Sequence, residues 1–77
     1  MPNSGSRQER EQILKELGRR ITLHRNIKGF TLEELATRCA MEHKQLLEIE
    51  SGKINILFKS LLRIAFHLEI EIKELLP

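Results

Sequence analysis

Apolar residues recur at three- and four-residue intervals along the chain, the spacing of a helix buried on one face. Leu14, Leu17 and Ile21 form the first such stripe, and His24 takes its next step. Ser6 with Glu9 fits a capping box and predicts a helix from about Arg7; Lys28-Gly29 supplies a basic last turn and a glycine stop near Ile27. Thr31 with Glu34 is a second capping box. It opens a short helix from Leu32 to about Cys39, with Leu32, Leu35, Ala36 and Cys39 inward. A third helix over roughly 43–50 turns Leu46 and Ile49 inward and stops at Gly52. A fourth, from about Leu57 to Leu68, carries Phe58, Leu61, Leu62, Ala65 and Leu68 as its core stripe, and "KELLP" closes the chain as a last helical turn docking Leu75 and Leu76. The pattern predicts an all-α fold of five helices, with residues 1–6 as a flexible polar leader and 7–77 as a single domain.

Composition narrows the class. No apolar run approaches the ~20 residues that span a bilayer, and no signal peptide opens the chain. Cys39 has no partner for an internal disulfide, so packing alone must hold the fold, and a cytoplasmic location fits. The net charge of +2 says little about nucleic acid. Its distribution says more: residues 1–30 carry seven Lys/Arg against three Glu, the remainder six against eight, which leaves a basic first helix. The basic run Gly18-Arg19-Arg20 reads as a solvated face, His67 as a partly exposed surface residue, and His24 as a satisfied half-buried one. No likely ligands share a zinc spacing and no catalytic constellation is present, so neither an enzyme, a metal site nor a cofactor is expected.

Two short helices joined by a tight turn, after a long helix and before another, follow the helix-turn-helix plan. The residues go further. "FTLEELATRCAMEHKQLLEIESGKINILFKSLLRIAFHLEI" resembles the lambda-repressor-like (Cro/CI, XRE) family of helix-turn-helix domains. Matching positions include Thr31, Glu34, Leu35, Ala36, Leu46, Ile49, Glu50, Gly52, Lys53, Asn55, Leu61, Ile64, Ala65 and Leu68, with "LGRRI" and Arg25 upstream.

The resemblance implies that the third helix enters the major groove, where His43, Lys44, Leu47 and Glu48 would meet base edges. It implies phosphate contacts from Lys28, Thr31, Leu32, Lys53 and Asn55, and a structural ion pair between Arg25 and Glu50. One such module makes too few contacts for high specificity, so we expect a homodimer on a palindromic site, its interface at Ile70 and Ile72 first and at Leu23 and Ile27 second. The sequence departs from the family pattern at Leu32 for the usual Gln, Ala40 for the turn glycine, Glu42 for the serine cap, Leu47 for a polar residue and Ile56 for the loop proline. These departures keep open an alternative: a protein–protein interaction module on the same fold that has lost DNA. The two expected partners are therefore double-stranded DNA and, in the alternative, another protein.

Overall fold

A computed structural model describes the backbone of residues 3–77 and the side chains of residues 7–77. It contains α1 (Asn3–Lys28), α2 (Leu32–Arg38), α3 (His43–Glu50) and α4 (Phe58–Leu68), followed by one 3-10 turn (Ile72–Glu74), with no strand among the described residues. The fold is all-α, but the expected fifth helix is only that turn: three residues between extended Glu71 and the C-cap Leu75 make two i→i+3 bonds, Glu74 N–H to the Glu71 carbonyl and Leu75 N–H to the Ile72 carbonyl, both at 2.9 Å. The backbone of α1 is helical from Asn3, upstream of the expected start at Arg7. Of the leader expected over 1–6, Met1, Pro2 and all six side chains lie outside the described residues.

All four helices end alike. In each, a residue with positive φ follows the last turn, and the N–H after it reaches back to the carbonyl five residues earlier: Phe30 to Arg25, Met41 to Ala36, Lys53 to Glu48 and Ile70 to Ala65, at 2.9–3.1 Å. Glycine supplies the left-handed residue after α1 and α3 (Gly29, φ 79°; Gly52, φ 73°), but Ala40 (φ 54°) and Glu69 (φ 59°) supply it after α2 and α4. The start of α2 is the expected capping box: the Thr31 Oγ1 accepts from the Glu34 N–H at 3.0 Å, and the Glu34 carboxylate accepts from the Thr31 N–H at 2.8 Å.

The core gathers Leu17 and Ile21 of α1, Leu35, Ala36 and Cys39 around α2, Leu46 and Ile49 of α3, and Leu61, Ile64, Ala65 and Leu68 of α4, closed by Leu75. Leu32 packs half-buried against it. Two expectations are corrected here. The buried stripe of α4 lies about 45° round the helix from the one expected, so Ile64 is buried while Phe58 and Leu62 are exposed (62% and 44%). Leu75 docks; Leu76 does not. Burial at i, i+3, i+4 and i+7 is satisfied by either stripe, and only the position of the neighbouring helices decides between them.

Candidate nucleic-acid interface

The candidate interface is built on the joint between α1 and the last turn of α3. Gly18 lies buried against that turn: a Cβ there would stand 2.4 Å from the Glu50 carbonyl oxygen, so only glycine lets the backbones approach. Four and seven residues on, Thr22 and Arg25 occupy the same face of α1 and grip the Glu50 side chain. The Arg25 Nε donates to one carboxylate oxygen at 2.7 Å and Nη2 to the other at 3.0 Å, while the Thr22 hydroxyl donates to Oε1 at 2.8 Å and lies 2.9 Å from the Gly18 carbonyl. The remaining Arg25 nitrogen, Nη1, donates to the Phe30 carbonyl at 2.9 Å, which ties the approach to α2 into the same joint. With the two side chains only 14% and 7% exposed, this pair is shielded from solvent and fixes the angle of α3 against α1.

So held, α3 presents His43, Lys44 and Leu47 to solvent, Leu47 at 49% exposure, with Glu48 half-buried beside them. None of these four belongs to the core. Glu42 adopts the extended N-cap backbone of α3 without a side-chain cap bond, which leaves its carboxylate exposed at the entry to the helix. The candidate phosphate residues divide. Thr31 is exposed, and because its oxygen accepts from Glu34, its own hydroxyl proton remains to donate. The half-buried Leu32 side chain has nothing to offer an anion, but a helix's first-turn N–H groups have no acceptor within the helix, and its backbone N–H is one of these. Lys53 and Asn55 are exposed on the segment after α3. Lys28 is already matched: its ammonium pairs with Glu69 at the end of α4 and holds that carboxyl below the usual carboxylate range.

Elsewhere the placement differs from expectation. Ile70 and Ile72 are half-buried against the core, whereas α4 exposes Phe58, Leu62 and Phe66 at i, i+4 and i+8, with Phe66 74% exposed. Leu23 and Ile27 are exposed on α1. The run 18–20 is not uniformly solvated: Gly18 is buried, Arg19 pairs with Glu16, and Arg20 pairs with Glu16 and donates to the Leu76 carbonyl. Cys39 is fully buried, and burial pushes its thiol up to about 11. Sequence reasoning missed Gly18 and Thr22 as parts of the joint. Their spacing of seven and three from Arg25 along one face of α1 was the available signal. It also missed Arg38, whose guanidinium stacks 4.5 Å over the Phe30 ring. Among the described residues no group of three His, Cys, Asp or Glu could hold a metal, and no helix is long and apolar enough to cross a membrane.

No protein-family profile and no curated protein matches the sequence. Solved structures do. The restriction–modification controller protein C.AhdI from Aeromonas hydrophila is 31% identical over 80% of this chain and 94% of its own, with a TM-score of 0.78. A hypothetical transcription factor, NHTF, from Neisseria is 29% identical over 87% of this chain and 78% of its own, at 0.79. The DNA-binding domain of BldD superposes as well (TM-score 0.79, 87% of this chain and 97% of its own), and at 20% identity that likeness is one of fold.

Proposed function

Because this chain belongs to the lambda-repressor-like (Cro/CI, XRE) helix-turn-helix family, we propose that it binds double-stranded DNA in a sequence-specific way as a small transcriptional regulator. The observation that carries this reading is the division of labour on α3: Leu46, Ile49 and Glu50 hold it in place, while His43, Lys44 and Leu47 face solvent with no part in the core. In a major groove, Lys44 donates to guanine O6 and N7, Leu47 packs on a thymine methyl, and His43 lies beside them at the start of the helix. Glu48 accepts from a cytosine N4 amine. Thr31 and the Leu32 backbone N–H hold a phosphate on one side of the groove, and Lys53 and Asn55 on the other. Lys28 contributes there only by exchanging its Glu69 partner for a phosphate.

One such module makes few base contacts, so the protein acts as a homodimer on a palindrome, with half-sites about 34 Å apart. The exposed Phe58–Leu62–Phe66 stripe supports an interface centred on α4, with Ile70 and Ile72 behind it rather than at its centre. A second reading is favoured by one observation: the uncapped carboxylate of Glu42 stands at the entry to α3, where it opposes a phosphate. On that reading the same face receives a protein.

Selection of bound sequences from random duplex DNA at two salt concentrations separates the readings. A palindromic motif enriched at both supports the DNA reading, and Lys44→Ala should then relax preference at one position of each half-site. Weak binding with no motif, abolished by salt, means a protein partner.

A further inference from the structure

Beside the last turn of α3, a groove of about 420 Å3 runs along the outer face of α1, lined by Lys15, Arg19, Thr22, Leu23, Asn26 and Glu50. Its one buried carboxylate, Glu50, is matched by Arg25. Glu16, the acidic neighbour on α1, is shared between Arg19 and Arg20 and leaves an arginine charge in excess. Lys15 makes no ion pair among the described residues. The remaining acidic groups near this face are Glu11, one turn before Lys15, and Glu48, half-buried on α3. Neither of these two lines the groove; over the lining itself Lys15 and Arg19 outnumber Glu50, so the groove is net positive, and the chain fixes where that charge lies. Gly52 turns so closely over α1 that a Cβ would stand 2.7 Å from the Lys15 Cα and 2.8 Å from its Cγ. The residue after Gly52 is Lys53, so the two lysines flank one tight contact.

We propose that this groove is a second contact for the DNA sugar–phosphate backbone, with Lys15 as its principal charge and Arg19 and Asn26 beside it. It continues past the end of α3 the line that Lys53 and Asn55 begin. The assignment rests on the DNA-binding reading above and lengthens its footprint. A cation on the backbone carries no base information, so its signature is a loss of affinity shared by all sequences and a shallower salt dependence.

The test uses Lys15→Gln, which keeps most of the aliphatic stem against Gly52 and removes the charge, and Lys15→Arg, which restores the charge. Each is compared with wild type, with Lys53→Gln, and with Lys73→Gln as a control outside the groove. Binding is measured to a selected duplex and to a random duplex across a salt series, after thermal melting has verified the fold. Lys15→Gln should weaken both duplexes by a similar factor, about three- to tenfold at moderate salt, and lower the slope of log affinity against log salt by about one. Lys15→Arg should match wild type. An unchanged slope for Lys15→Gln, with Lys53→Gln lowered, overturns the groove and leaves the DNA reading standing. A wild-type protein that binds neither duplex overturns both.

Discussion

Glu50 is an acidic residue on the helix proposed to read DNA, yet its carboxylate is spent inward on Thr22 and Arg25 rather than facing a phosphate. Removing one member of a shielded pair strands the other, so Glu50→Gln should lower stability by about 3 kcal/mol, and the melting temperature by roughly 10–20 °C. Differential scanning calorimetry reads this directly; an unchanged midpoint means the pair adds no stability. A second carboxylate makes a pH-dependent case. Arg19 and Arg20 hold the Glu16 carboxyl well down, at about 2 against an ordinary 4.5. A depressed folded pKa stabilises above the unfolded value, and that contribution fades as pH falls from about 4.5 towards 2. Glu16→Gln should therefore lower the urea midpoint at neutral pH and converge on wild type towards pH 2, which flattens the acid limb. The Arg25–Glu50 partnership was legible because opposite charges occupy positions that the family pairs. Gly18 and Thr22 were not, since a glycine and a hydroxyl in mid-helix leave no mark on a hydrophobic pattern.

Among the elements, the helix stops were legible only where glycine makes them. Gly29 and Gly52 announced the ends of α1 and α3, but Ala40 and Glu69 adopt the same left-handed backbone without announcing it. A side chain there costs about 1–2 kcal/mol in backbone sterics, partly offset because glycine has more freedom to lose on folding. Ala40→Gly should thus raise stability by about 0.5–1 kcal/mol, read from the shift in the urea midpoint at constant slope. A destabilised variant would show that the Ala40 methyl makes contacts outweighing its strained φ. The short C-terminal segment "KELLP" is expected as a last helical turn that docks Leu75 and Leu76. Glu69 ends α4 in left-handed backbone and Glu71 is extended, so the segment makes a separate 3-10 turn over Ile72–Glu74 rather than a continued helix. The α4 stripe was misjudged by less than one residue's rotation. Leucine and phenylalanine lie on both of its flanks, and composition alone does not say which flank meets water.

At the scale of the molecule, that misjudgement becomes informative. The 26 residues of α1 stretch the structure to 43 × 24 × 20 Å, and α4 carries Phe58, Leu62 and Phe66 on the outside of it. Phe66→Glu changes an exposed position, so the monomer's melting temperature should barely move. If the stripe is the dimer face, sedimentation equilibrium should show wild-type dimer and variant monomer, and DNA affinity should fall with the loss of the second half-site. Variant and wild type sedimenting alike would remove α4 from the interface. The joint at Gly18, Thr22 and Arg25 has a further consequence, for how such a protein changes over evolutionary time. It fastens α3 by its last turn and leaves the other end free of structural duty. On the proposed DNA-binding reading, mutations at 43, 44 and 47 are therefore screened by what the protein recognises and hardly at all by whether it folds. A lineage built this way can drift from one target to another in single steps, and an engineer can exchange those three side chains as a set without redesigning anything beneath them.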